Sequence, residues 1–194
     1  MAAIRILVAE DNDLVALTLE EQLKGLGYDV IAVAHTGAEA IDLAARLSPD
    51  LIIMDIRMPE VDGTEAASRI NAQRATPILM LTAYTDRETI RRAEIAGALA
   101  YLVKPVKEVE LSPAINIALA RFKEIERLRN QVVELEDSLE ARKLVERAKG
   151  ILMQRLGLGE RDAYERLRQR ARDKRTKMKD IAQAIIEAEE LLGS

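Results

Sequence analysis

Glu10, Asp11 and Asp55 supply three carboxylates, Lys104 an ammonium and Thr82 a hydroxyl. Crowded at one place, three carboxylates repel one another, and a divalent cation relieves that repulsion. Oxygen-only donors favour magnesium over zinc, and magnesium keeps several waters while pairing well with phosphate oxygens. Each residue taken alone has an ordinary explanation. An Asp at a strand end commonly caps a helix, a lone Lys is commonly a surface charge, and a lone Tyr such as Tyr101 commonly packs on an edge strand. Only their joint placement argues for chemistry. His35, the sole histidine, follows the second predicted strand away from these groups, and no catalytic or metal role is expected of it.

The elements that must position these groups are legible as two alternating periods. Short apolar runs occur at Ile4–Ala9, Val30–Ala34, Leu51–Met54, Ile78–Leu81 and Leu99–Val103. Their apolar residues are successive rather than alternating, as in strands covered on both faces. Between them lie helical patterns. Leu14, Leu17, Leu19, Leu23 and Leu26 mark the first. The second opens on a capping box, Thr36 with Glu39, and ends before Ser48-Pro49. A third runs from about Glu65 to Gln73, and a fourth opens at Thr85, with Glu88 as its partner, or at Asp86. Five strands alternating with helices predict an α/β fold, a doubly wound five-stranded parallel sheet that binds ligands outside the carboxyl ends of its strands. Glu10 and Asp11 follow the first strand, and Asp55, Thr82 and Lys104 end the third, fourth and fifth.

The segments VAEDN, LIIMDIRMPEVDG, LTAY and YLVKP, in that order and spacing, resemble the response-regulator receiver family over about 120 residues. The resemblance implies a flavodoxin-like fold and a role for each residue. Asp55 is the phosphoacceptor, charged by a histidine kinase or a phosphotransfer protein. Asp11, Asp55 and the main-chain carbonyl of Arg57 bind Mg²⁺, assisted by Glu10. Lys104 contacts the phosphoryl oxygens. Thr82 hydrogen-bonds the phosphoryl group and couples to Tyr101, the switch aromatic. Pro105 is expected in the cis form in this family.

A further helix is predicted from Ser112-Pro113, with Ser as N-cap and Pro at its first position. Neither Pro nor Gly follows until Gly150, so helix can continue for several tens of residues. Leu111, Ile115, Ala118, Phe122 and Ile125, then Leu128, Val132, Leu135 and Leu139, keep heptad spacing apart from two successive threes at 122–125–128. That break is stammer-like, and the spacing favours a coiled-coil stalk over a helix folded back on the receiver. The remaining tail reads as a small all-α bundle of three short helices. Leu144, Val145, Ala148, Ile151 and Leu152 line the first, Ala163, Tyr164, Leu167 and Ala171 the second. Met178, Ile181, Ile185 and Leu192 line the third, with Thr176 as its cap. The expected domains are 1–120, a helical linker at 121–139, and 140–194.

Composition bounds the function classes. Hydrophobic residues make up 48%, ample for a core, but aromatics only 3%, so that core is aliphatic. The absence of cysteine excludes disulfides, Cys-ligated zinc and thiol catalysis, and suits a cytoplasmic setting. MAAIRILVAED is too short for a signal peptide, and no run approaches the roughly 18 apolar residues of a membrane span. The net charge of −4 hides segregation: residues 1–120 carry −7, while residues 142–179 carry +9. A basic block behind an acidic domain fits a polyanion partner or, equally, a solvated basic surface.

The tail itself, through Arg147-Ala148-Lys149-Gly150-Ile151-Leu152-Met153, Gly157-Leu158 and Ala163-Tyr164 with Leu167-Arg168 and Ala171, resembles the ANTAR domain over about 55 residues. Gly159 departs from the Ser or Thr that often caps a helix there. The resemblance implies binding to RNA hairpins in mRNA leaders and transcription antitermination. Loop bases are the usual route to sequence-specific readout of RNA. Candidate contacts are Lys149, Arg155, Tyr164, Arg168 and Arg172, although packing between helices suits Tyr164 at least as well. Phosphorylation would promote a homodimer or release the tail. A helical protein-interaction tail without nucleic-acid binding is the alternative, and a DNA-binding regulator a third reading. Beyond phosphoryl acceptance and slow self-hydrolysis at Asp55, no enzymatic activity is expected.

Overall fold

The computed structural model describes residues 3–83 and 97–192. The chain divides into two compact units, Met1–Glu126 and Arg127–Ser194. The first contains β1 (Arg5–Ala9), α1 (Asp13–Gly25), β2 (Asp29–Ala34), α2 (Gly37–Leu47), β3 (Leu51–Asp55), α3 (Gly63–Gln73), β4 (Ile78–Thr82) and β5 (Ala100–Val103). There follow α4 (Glu108–Leu156), α5 (Glu160–Lys174) and α6 (Met178–Leu192). The helix expected at Thr85 or Asp86 lies outside the described residues.

The five strands form one sheet in the order β2-β1-β3-β4-β5, and every pairing is parallel. Side chains alternate across it. Leu7, Ile52, Met54, Ile78 and Met80 pack with Ala40, Ala44, Ala66, Ala67 and Ile70 of α2 and α3. Ile6, Val8, Ile53, Leu79 and Leu81 pack on the other side with Leu19 and Leu23 of α1 and with Leu111, Ile115 and Ala118 of α4. The small alanines of α2 and α3 let those helices lie close to the strands. Leu14 and Leu17, placed on the predicted apolar stripe of α1, are instead 73% and 54% exposed.

Local signals set most helix ends. Thr36 accepts a hydrogen bond from the Glu39 N–H at 3.1 Å, but Glu39 reaches back to the His35 N–H at 2.8 Å rather than to Thr36. Ser48 closes α2 in the left-handed conformation. Helix α4 departs from expectation: it begins at Glu108, and Pro113 lies inside it. Burial of Leu111 draws the first turn onto the sheet. The Ser112 hydroxyl, expected to cap, is 3.2 Å from the Tyr28 hydroxyl instead. Pro113 lacks an N–H, so the Val109 carbonyl loses its usual helical donor.

Helix α4 is 49 residues long. Its heptad positions are open: Ile125 is 36% exposed, Leu128 48%, Val132 52%, Leu135 70% and Leu139 55%.

In the second unit Val145, Ala148, Leu167, Ala171, Ile181, Ala182 and Ile186 form a core, flanked by Leu144, Ile151, Leu152, Met178 and Ile185. Gly157, at φ +66°, follows the end of α4, and Gly159 caps α5 without a side-chain bond. Thr176 does not cap α6. The helix begins at Met178, and the Asp180 carboxylate accepts the Lys177 N–H at 3.1 Å.

Candidate functional site

The sheet register gathers the candidate groups at one rim. Ala9 pairs with Met54, Asp55 with Leu81 and Thr82 with Val103. Glu10, Asp55, Thr82 and Lys104 therefore emerge at successive strand ends beside the point where strand order reverses. The Lys104 N–H donates to the Thr82 carbonyl at 2.8 Å, joining the last two of these ends. The Lys104–Pro105 peptide is cis.

Glu10 is 1% exposed and Asp55 7%, whereas Asp11 is exposed. Oxygens of these three carboxylates all lie within 4.8 Å of one another. Lys104 Nζ stands between two of them, 2.5 Å from Glu10 Oε2 and 2.7 Å from Asp55 Oδ2. Its contact with Asp55 is a directed hydrogen bond. With Glu10 Oε2 the contact is an ion pair by distance, and this buried oxygen has no other hydrogen-bond partner. Burial raises the Glu10 pKa, and Lys104 only partly opposes that rise. Burial pulls Lys104 down, but its bonds to Asp55 and Glu10 more than reverse this, leaving it raised. Two buried carboxylates thus share one ammonium, with a third carboxylate open to solvent beside them. This donor set fits a hydrated, oxygen-preferring divalent cation.

Neighbouring turns hold the cluster. The Asn12 side chain caps α1 by accepting from the Leu14 and Val15 N–H groups, and the Asn12 main-chain N–H points to Glu10 Oε1 at 3.4 Å. The Arg57 N–H points to Asp55 Oδ1, also at 3.4 Å. Gly63 opens α3 against the end of β3, donating its N–H to the Ile56 carbonyl at 2.8 Å. A Cβ there would lie 1.9 Å from the Asp55 carbonyl oxygen, so only glycine fits without movement. Sequence reading passed over Gly63. The run Asp62-Gly63, a cap followed by a glycine just after the acceptor strand, was the available signal. Thr82 is buried at 2%, while Tyr101, on β5, is 47% exposed.

The five tail candidates differ in state. Lys149 is 8% exposed, and its Nζ lies 2.7 Å from Glu146 and 2.8 Å from Glu160. Hydrogen bonds to Glu146 and Glu160 raise its pKa, and the same bond lowers that of Glu160. Arg155 is held by Glu189 through three bonds of 2.8–3.0 Å. Arg168 pairs with Glu165 at 2.9 Å. Among the described residues Arg172 makes no ion pair. Tyr164 stays outside the local core and is 39% exposed. Of the acidic partners, Glu146 and Glu165, each three positions before its base, were legible from spacing.

Comparisons with known proteins match two parts of the chain. The family model for the response regulator receiver domain matches residues 6–116, and that for the ANTAR domain matches residues 133–186. The transcriptional regulatory protein PdtaR of Mycobacterium tuberculosis is 46% identical over 183 residues, covering 94% of this chain and 89% of that protein. The signal receiver domain of a modulated diguanylate cyclase from Desulfovibrio desulfuricans is 38% identical with a TM-score of 0.59, over 63% of this chain and 98% of that one. A response regulator from Chloroflexus aurantiacus is 36% identical with a TM-score of 0.58, over 61% of this chain and 99% of that one. Among the described residues no helix is long and apolar enough to cross a membrane.

Proposed function

Because the chain belongs to the response regulators that join a receiver domain to an ANTAR domain, a regulatory rather than enzymatic architecture, we propose that it is a phosphorylation-activated transcription antiterminator. The observation that carries the reading is the rim cluster, in which Lys104 bridges the buried Glu10 and Asp55 carboxylates. In this reading an Asp55 oxygen attacks the phosphorus of a phosphohistidine on a histidine kinase or phosphotransfer protein. The P–N bond breaks, the imidazole leaves, and an aspartyl phosphate forms. Mg²⁺, held by Asp11, Asp55 and the Arg57 carbonyl with help from Glu10, would supply charge compensation for the phosphoryl oxygens. Lys104 turns from its carboxylates toward the new phosphoryl group. The Thr82 hydroxyl bonds the same group, and its movement lets Tyr101 leave its exposed position. The receiver would end near residue 120, and residues 121–139 would carry the change to the tail.

The output would be binding to paired hairpins in a nascent mRNA, aided by pairing of two chains along the open heptad face of α4. Fluorescence anisotropy with a two-hairpin leader RNA, with and without beryllofluoride and Mg²⁺, tests the reading. Tight, salt-sensitive binding that the mimic strengthens, and that Asp55→Asn makes indifferent to it, supports the proposal. No binding in either state sinks the RNA role and leaves a protein-interaction tail.

A further inference from the structure

We propose that a pocket beside Tyr164 seats a single unstacked base of an RNA loop; this rests on the RNA-binding reading and names where on the second unit that reading acts. The pocket, of about 430 Å³, lies where α4, α5 and the start of α6 meet. That volume falls in the range of small-ligand sites. Val145, Met178 and Ala141 give it an apolar floor, and the half-open ring of Tyr164 forms a wall. Among the described residues the Tyr164 hydroxyl has no hydrogen-bond partner, so it is available to a base edge. Arg142, Lys177 and Lys179 stand on the rim, and among the described residues none of them is in an ion pair.

One acid, Glu146, also lines the pocket, and its carboxylate is held 2.7 Å from Lys149 Nζ. Lys149, shared between Glu146 and Glu160, offsets part of that negative charge, and the three rim cations outnumber the one acid. Lys149 itself is bound between two glutamates and does not line the pocket. Apolar floor, aromatic wall and cationic rim together match a nucleotide, whose base stacks while its flanking phosphates meet the cations. A base inside a duplex cannot reach such a pocket, whereas a splayed loop base can.

The test uses the full chain and a pool of fluorescein-labelled stem–loops with a fixed stem and randomised loop. The same stem as a blunt duplex is the reference. Selection by the wild-type chain yields the stem–loop for affinity measurements. Tyr164→Leu is expected to weaken that stem–loop about tenfold, within the usual range for loss of one stacked base, and to leave duplex binding unchanged. Tyr164→Phe keeps the ring and stays within a few-fold of wild type. Neutralising Arg142, Lys177 and Lys179 to Gln flattens the salt dependence, while Arg170→Gln, away from the pocket, does so less. Melting curves establish that each variant is folded. A folded Tyr164→Leu that binds the stem–loop like wild type overturns the pocket and leaves RNA binding standing, as does an equal loss on duplex and stem–loop. Failure of the wild type to enrich any stem–loop overturns RNA binding itself, and the pocket with it. A second measurement needs no variant: 2-aminopurine placed at each loop position in turn should be quenched at one position when the wild-type chain binds. Quenching at none of them overturns the proposal.

Discussion

Lys104 carries more of the receiver site than its single charge suggests. It is the counter-ion of two buried carboxylates, and without it both would be left with little water to replace it. Breaking a buried pair from one side costs about 3–5 kcal/mol. Glu10 limits that loss by taking up a proton, so the penalty of Lys104→Met should grow as pH rises above the ordinary carboxylate value of 4.5. Urea denaturation in EDTA measures it, and added Mg²⁺ should recover part of the loss by replacing the ammonium. Glu10→Gln acts in the opposite direction. A carboxyl group whose folded pKa is raised favours the folded state below its ordinary value of 4.5, and that favour is lost as pH rises through the raised value. In EDTA at neutral pH, Glu10→Gln should therefore be more stable than wild type, and the advantage should vanish in acid. If the two chains melt alike across that range, Glu10 is not strained by its burial. With Mg²⁺ present the ranking should narrow, because the variant offers the cation one carboxylate fewer.

Single glycines give predictions of opposite sign. Gly63→Ala puts a methyl group 1.9 Å from the Asp55 carbonyl oxygen, so α3 or the end of β3 must shift. Overpacking of this kind costs about 1–3 kcal/mol, and here the displaced peptide is the acceptor's own. Phosphorylation by a small-molecule phosphodonor should slow along with the loss of stability. Gly150 lies inside α4 with nothing within 4 Å of an added Cβ. Gly150→Ala should stabilise the second unit by about 0.5–1 kcal/mol, read from its thermal transition. These elements were unequally legible in the sequence. The strands stand out because a parallel sheet covered on both faces demands unbroken apolar runs, and the site followed because its groups sit at the ends of those runs. The start of α4 did not follow: Ser112-Pro113 is a sound local signal, but burial of Leu111 and the Ser112–Tyr28 contact outweigh it. The long-range ion pairs of the tail were equally hidden. Arg155 and Glu189 are 34 positions apart, and Arg147 and Glu190 are 43 apart, so only the packed bundle brings them together.

Charge and apolar surface are both segregated along this molecule, and the two together bear on how it would engage RNA. The first 120 residues are acidic and repel a polyanion, so RNA affinity must come from the basic block at 142–179. A single small unit offers few phosphate contacts. Pairing along Leu128, Val132, Leu135 and Leu139 would bring a second basic block onto the same transcript. Where both hairpins are within reach, the second binding event becomes intramolecular and avidity rises without any new contact. Salt makes this measurable, since the slope of log K against log salt scales with the number of phosphates neutralised. On a two-hairpin RNA with beryllofluoride and Mg²⁺, the wild-type chain should show nearly twice the slope it shows on one hairpin. The double variant Leu128→Glu, Leu135→Glu should stay monomeric by light scattering, and its slope should be that of one hairpin on either RNA. Equal slopes for variant and wild type on the two-hairpin RNA would mean that the open face of α4 serves something other than pairing, and that one chain reads one hairpin at a time.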